Sequence, residues 1–117
     1  MITTKRAEGK EGEDRAVRIL KSRGYRILER NYRNPFGEID IIAEEGDCLV
    51  FVEVKKRNTE TFGDPLYAIN DAKKRHIIMS AQHYLKSHKI INRKTRFDVV
   101  GIRGNDVRIV KSAFLVE

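Results

Sequence analysis

Two periodicities of apolar side chains alternate along this chain, and each switch between them marks an element boundary. Over residues 5–23, Ala16, Val17 and Leu20 fall at helical spacing and Gly24 follows as a C-terminal stop, which predicts a first helix. Residues 25–32 predict a strand built on Tyr25, Ile27 and Leu28, ending at the turn-prone Asn34-Pro35 and Gly37. Residues 38–44 and 49–57 are rich in Ile, Val and Phe and flank Gly46-Asp47, a pair suited to a tight hairpin turn. Phe62-Gly63-Asp64-Pro65 reads as a loop, after which Asn70 or Asp71 can cap a second helix running to about residue 87, with Ile78, Ala81 and Leu85 as its apolar stripe. Residues 96–103 alternate, turn at Gly104-Asn105 and return through Val107, Ile109 and Val110 as a second hairpin. The order αβββαββ needs a sheet covered by helices, so the fold class is α/β or α+β.

The first hairpin concentrates the chemistry. With the turn centred between Gly46 and Asp47, paired residues have numbers summing to 93, so Asp40 faces Glu53 and Glu38 faces Lys55. Period-two alternation then places Ile39, Ile41, Ala43, Val50, Val52 and Val54 on one apolar face that must be core. The other face carries Glu38, Asp40, Glu53 and Lys55, with Ile42, Leu49 and Phe51 nearer the turn. Cross-strand neighbours of like charge repel, so Asp40 and Glu53 need a third party. A divalent cation is one, because Mg²⁺ takes hard oxygen ligands from one or two carboxylates and keeps sites for water and phosphate. Lys55 can reach the same locus, to neutralise the pair, hold a phosphate or orient a nucleophilic water. Ordinary exposed ion pairs, Glu38 or Asp40 with Lys55, are the plain alternative. The pattern leaves both readings open. Glu13 adds to the first, since it precedes Ala16, Val17 and Leu20 by three, four and seven residues and so projects from the apolar stripe of the first helix, beside the small Gly12.

Composition narrows the class. The length of 117 residues suits one domain, residues 1–117, and 40% apolar with 35% charged residues fits neither a disordered nor a membrane chain. Met1-Ile2-Thr3-Thr4-Lys5-Arg6 offers no apolar signal region, and Cys48, the single cysteine, allows neither an internal disulfide nor a cysteine zinc site. A cytoplasmic protein without membrane attachment is expected. The 24 basic and 17 acidic residues give a net charge of +7, which favours polyanions. That charge is segregated: residues 34–53 hold six acids and no Lys or Arg, an acidic island in a basic frame.

Gly37-Glu38-Ile39-Asp40-Ile41-Ile42-Ala43, followed by Phe51-Val52-Glu53-Val54-Lys55, resembles the bacterial YraN family, a group assigned to the restriction-endonuclease-like superfamily with its PD-(D/E)xK motif. Gly9, Gly12, Glu13, Ala16, Leu20, Gly24 and Asn31 resemble its N-terminal part. Phe62, Gly63, Pro65 and Lys73 resemble its middle, and Arg96-Phe97-Asp98-Val99-Val100 with Ala113-Phe114 its end. The resemblance implies a restriction-endonuclease-like αβββαβ core, a mixed central sheet flanked by helices. It further implies that Asp40 and Glu53 hold Mg²⁺ or Mn²⁺, that Lys55 positions or activates water, and that Glu13 supplies a further carboxylate. Archaeal-type Holliday junction resolvases are the implied structural relatives. No Pro precedes Asp40, a common departure in that superfamily. Gln82 and Tyr84 are only two apart, so the Gln-x-x-x-Tyr spacing of related exonucleases is missing and their activity is not carried over.

Two functions from different classes follow as expectations. One is a metal-dependent DNA endonuclease, with branched or otherwise structured DNA as a candidate substrate; the other is a non-catalytic nucleic-acid-binding or protein-interaction module on the same fold. DNA is the expected partner, and a homodimer is compatible with either. Lys73, Lys74 and Arg75 on the second helix, with Lys56 and Arg57, are candidate phosphate contacts. His76 and His83 lie too far apart along a helix to chelate one ion, and with His88 they read as surface or packing residues. Asp98 reads as facing solvent and Cys48 as a small apolar filler.

Overall fold

The computed structural model describes residues 5–57 and 69–114, with side chains from Gly9 onward in the first helix and up to Lys56 in the third strand. All seven expected elements form: α1 (Lys5–Ser22), β1 (Arg26–Asn34), β2 (Gly37–Glu45), β3 (Cys48–Arg57), α2 (Asp71–Ser87), β4 (Thr95–Arg103) and β5 (Asp106–Val110). The loop expected at Phe62-Gly63-Asp64-Pro65 lies outside the described residues. The strands make one mixed sheet in the order β1-β2-β3-β4-β5, with β3 and β4 parallel and the other neighbours antiparallel. A parallel pair cannot be joined by a tight turn, and α2 lies in the connection between β3 and β4.

Capping fixes where the helices stop and start. Gly24, at φ +92°, closes α1 as Tyr25 N–H donates to the Leu20 carbonyl at 3.0 Å and Gly24 N–H to that of Lys21 at 3.1 Å. Of the two candidate caps of α2 it is Asn70 that acts, its Oδ1 accepting from Lys73 N–H at 2.8 Å.

Each face of the sheet has its own core. Ala16, Val17 and Leu20 of α1 pack with Ile41, Ala43, Val50, Val52, Val100 and Ile102. Ile77, Ala81 and Tyr84 of α2 pack with Ile39, Ile42, Leu49, Phe51 and Phe97. The stripe of α2 is therefore Ile77, Ala81 and Tyr84, with the expected Ile78 and Leu85 at its margin; both sets have helical spacing, and docking on the sheet selects between them.

Three sequence expectations are corrected here. The face bearing Ile42, Leu49 and Phe51 is core as well, because α2 covers it. Ile39 packs on the α2 side, opposite Ile41, although the two are separated by one residue. The same switch occurs on β1, where Arg30 faces Glu13 and Asp14 of α1 while Tyr32 packs on the α2 side. Between Arg30 and Tyr32 stands Asn31 with φ +54°, and between Ile41 and Ile39 stands Asp40; the register runs from Arg30↔Ile41 to Tyr32↔Ile39 with no pair between. A left-handed residue rotates the chain, so positions that simple alternation would put on one face fall on two. Third, Asp98 is 1% exposed rather than solvent-facing. Its carboxylate accepts from Tyr25 Oη at 2.8 Å, Arg96 Nε at 2.8 Å and Ser112 N–H at 3.0 Å, which satisfies its buried charge. Arg96 also bonds Glu45 at 2.7 Å and Tyr25 Oη at 3.1 Å, so β2, β4 and the segment after α1 are tied through one guanidinium.

Candidate metal and active site

The site lies where β2 and β3 part. Their ladder follows the register summing to 93 through five pairs and ends at Ile41↔Val52, one step before Asp40 and Glu53 would pair. In place of the next backbone contact, Asp40 Oδ2 accepts a hydrogen bond from Val54 N–H at 2.8 Å. The carboxylate is thereby seated between the two strands. Glu13 reaches it from α1 and Glu38 from its own strand: one ligand oxygen from each of Glu13, Glu38 and Asp40 lie within 4.8 Å of one another.

Glu53 enters from β3, its side chain 6% exposed. Lys55 Nζ lies 3.6 Å from Glu53 Oε1 and Lys73 Nζ, from the first turn of α2, lies 3.5 Å from the same oxygen. The second oxygen, Oε2, is buried without a hydrogen-bond partner among the described residues, as is Glu13 Oε1, whose nearest cation is Arg30 at 3.8 Å. A lysine in the first turn of a helix opposes the helix dipole, and Glu53 is what offsets that cost for Lys73.

The electrostatics follow from this crowding. Burial first, and the Glu53 charge second, push the Asp40 carboxyl up to about 7, against the lowering effect of its hydrogen bond from Val54. Burial and the Asp40 charge likewise raise Glu13, opposed by a hydrogen bond from Asn31 and by Arg30. Several carboxylates held close in a partly dry site, with two buried oxygens lacking donors, fit a hard divalent cation. Glu13, Glu38 and Asp40 bring oxygens close enough together to hold it, with the Glu53 charge acting on Asp40 beside them; it would polarise a phosphate and lower the pKa of water.

The structure thus draws together Glu13, Asp40, Glu53 and Lys55, and it divides the expected basic set. Lys73 belongs to the carboxylate cluster, whereas Lys74 Nζ lies 5.8 Å from the Phe114 ring centroid and Arg75 is exposed. Lys56 points to the α1 side, 3.5 Å from Glu11 and against Gly12, where an added Cβ would meet its Cδ at 3.5 Å. The side chain of Arg57 lies outside the described residues. Sequence reasoning missed Glu38 as a site residue, although its place two positions before Asp40 was the available signal. The histidines hold no shared ion position: His83 Nδ1 meets Tyr32 Oη at 2.5 Å, and His88 stacks on Tyr84.

The family profile described as "Uncharacterised protein family UPF0102" matches residues 12–102, which includes every carboxylate and lysine of this site. A UPF0102 protein of Persephonella marina is 48% identical over 107 residues, covering 92% of each chain. One of Desulfosudis oleivorans is 45% identical over 116 residues, covering 97% of this chain and 94% of its own. One of Moorella thermoacetica is 42% identical over 120 residues, covering 97% of this chain and the whole of its own. Matches of this extent leave no part of the site outside the likeness, and the chain belongs to the UPF0102 family.

Proposed function

We propose that this protein is a metal-dependent DNA endonuclease of restriction-endonuclease-like architecture, hydrolysing phosphodiester bonds at the Asp40, Glu53 and Lys55 cluster with Mg²⁺ or Mn²⁺. The observation that carries the reading is the pairing of repelling, partly desolvated carboxylates with a lysine ammonium 3.6 Å from Glu53, at a point where the β2–β3 ladder opens. A binding module has no use for such repulsion. The order Asp, Glu, one residue, Lys on two adjacent strands agrees with the PD-(D/E)xK pattern, and the net charge of +7 suits a polyanionic substrate.

In this reading a bound divalent cation supplies the positive charge that holds Asp40 and Glu53 ionised and polarises the scissile phosphate. Lys55 orients the attacking water and stabilises charge on a non-bridging oxygen. The water oxygen bonds to phosphorus and gives up a proton to solvent, the bond from phosphorus to the departing sugar oxygen breaks, and that oxygen takes a proton from solvent. Lys73, across Glu53 from Lys55, keeps the carboxylate in place.

The test is a panel of junction, flap, single-stranded and blunt duplex DNA incubated with Mn²⁺. Cleavage by the native protein that Asp40→Ala and Lys55→Ala abolish, with DNA affinity retained by Lys55→Ala, is the expected result. Undiminished cleavage by Lys55→Ala would defeat the proposal.

A further inference from the structure

Among the described residues a groove of about 910 Å³ lies along the outer side of α2, which the catalytic reading leaves unused. Its walls are Phe36 from the β1–β2 turn, Met79 and Leu85 from α2, and Ile90 and Ile91 just beyond it. Three of these are unusually open for large apolar side chains: Ile91 is 82% exposed, Met79 40% and Phe36 39%. The His83 ring lies 6.2 Å from that of Phe36. Lys86 and Lys89 also line the groove, and no Asp or Glu does among the described residues.

We propose that this groove takes unpaired nucleobases of a single strand whose backbone continues to the carboxylate cluster. The proposal rests on the nuclease reading and gives it a substrate class: DNA with a single-stranded segment, such as a flap, an end or a branch point.

Three observations select this occupant. An aromatic ring and flat apolar walls suit the π-faces of bases, which a paired and stacked duplex does not expose. Lysines in a groove that no acid lines among the described residues suit phosphates, and a second copy of the chain seated face to face would set the same lysines against each other. The groove and the site also share two elements: α2 runs ten residues from Lys73 to His83, about 15 Å at the helical rise, and β2 leads directly from the turn at Phe36 to Asp40. A few nucleotides of extended strand cover that distance.

The test measures binding without metal, so that it is independent of cleavage. Fluorescein-labelled oligo-dT, an abasic strand of the same length and a blunt duplex are titrated in EDTA with the native protein, Phe36→Ala, Ile91→Ser and the double variant, and fluorescence anisotropy is followed. Oligo-dT affinity is expected to fall roughly fivefold or more in the double variant. The abasic strand should bind the native protein as weakly as oligo-dT binds that variant, while duplex affinity stays unchanged. Equal oligo-dT binding by native and double variant overturns the proposal, as does equal binding of abasic and intact strands. A native dimer that the double variant dissolves, with strand binding intact, overturns it in favour of a second copy as occupant. Ile91, at the surface, keeps the test usable if Phe36→Ala does not fold. Absence of cleavage by the native protein with Mn²⁺ would sink the catalytic reading and leave this binding result standing on its own.

Discussion

Asp40 uses a side-chain oxygen to accept the backbone N–H of Val54 at 2.8 Å, so a carboxylate takes the place of a ladder contact between β2 and β3. This substitution holds the sheet open at one point while keeping Val54 N–H satisfied. It also fixes Asp40 next to Glu53, whose charge then works against Asp40 ionisation.

That relationship sets a pH dependence. With its folded value pushed up to about 7 from an ordinary 3.8, Asp40 holds its proton in the native state over a range where the unfolded chain has released it. The native state therefore binds more protons between about pH 4 and 7, and stability falls as pH rises through that window. In metal-free buffer, the urea midpoint of the native protein relative to Asp40→Asn should decline from pH 4 to 7 and level off above. A difference that stays flat across this window would show that Asp40 is not perturbed.

Cation binding should reverse the effect. A ligand that binds only the folded state stabilises it by mass action, so Mg²⁺ or Mn²⁺ at about a hundred times its Kd should add about 2.7 kcal/mol to native stability. Thermal-shift titration checks this, with Asp40→Ala expected to show little response. Equal shifts in both proteins would place any bound metal elsewhere.

Lys73 and Lys74 are sequence neighbours with different surroundings, one 3.5 Å from Glu53 and the other near the Phe114 ring. Within the proposed function, Lys73→Ala should lower the cleavage rate at saturating DNA by roughly tenfold to a hundredfold with little change in Kd. Lys74→Ala should leave that rate close to native. Single-turnover kinetics beside anisotropy separates the two effects, and equal losses in both variants would make them interchangeable phosphate contacts.

The buried Asp98 cluster makes a stability prediction independent of function. Asp98→Ala strands Arg96 and Tyr25 without their shared acceptor and should cost about 3–5 kcal/mol. Tyr25→Phe removes one hydrogen bond to a charged group and should cost about 1.5–3 kcal/mol. Burial and its bond to Asp98 also raise the Tyr25 phenol well above its usual range, so it should resist ionisation at alkaline pH. Chemical denaturation ranks the two variants; a smaller loss for Asp98→Ala than for Tyr25→Phe would contradict the arrangement.

Asn31 tests the side switch. At φ +54° a β-branched residue is strained while glycine is not, so Asn31→Val should be less stable than Asn31→Gly by about 1–2 kcal/mol. Both variants lose the hydrogen bond to Glu13, which makes the comparison specific to the backbone.

By itself the amino-acid sequence determined what depends on neighbours along the chain: the two helices, the strands, the turn at Gly46-Asp47 and the register summing to 93 that Ile41 to Glu45 obey with Cys48 to Val52. It also brought Asp40, Glu53 and Lys55 to one locus, because period-two alternation and a tight turn are local geometry. Tertiary structure decided the rest. A left-handed Asn31 carries no signature in apolar spacing, so alternation misplaced Ile39. Asp98 looked solvent-facing because the groups that permit its burial include Tyr25, 73 residues away in sequence. Whether Lys73 met a phosphate-binding surface or Glu53 depended on how α2 docks on the sheet, and docking is set by the packing of Ile77, Ala81 and Tyr84, which no periodicity within the helix contains.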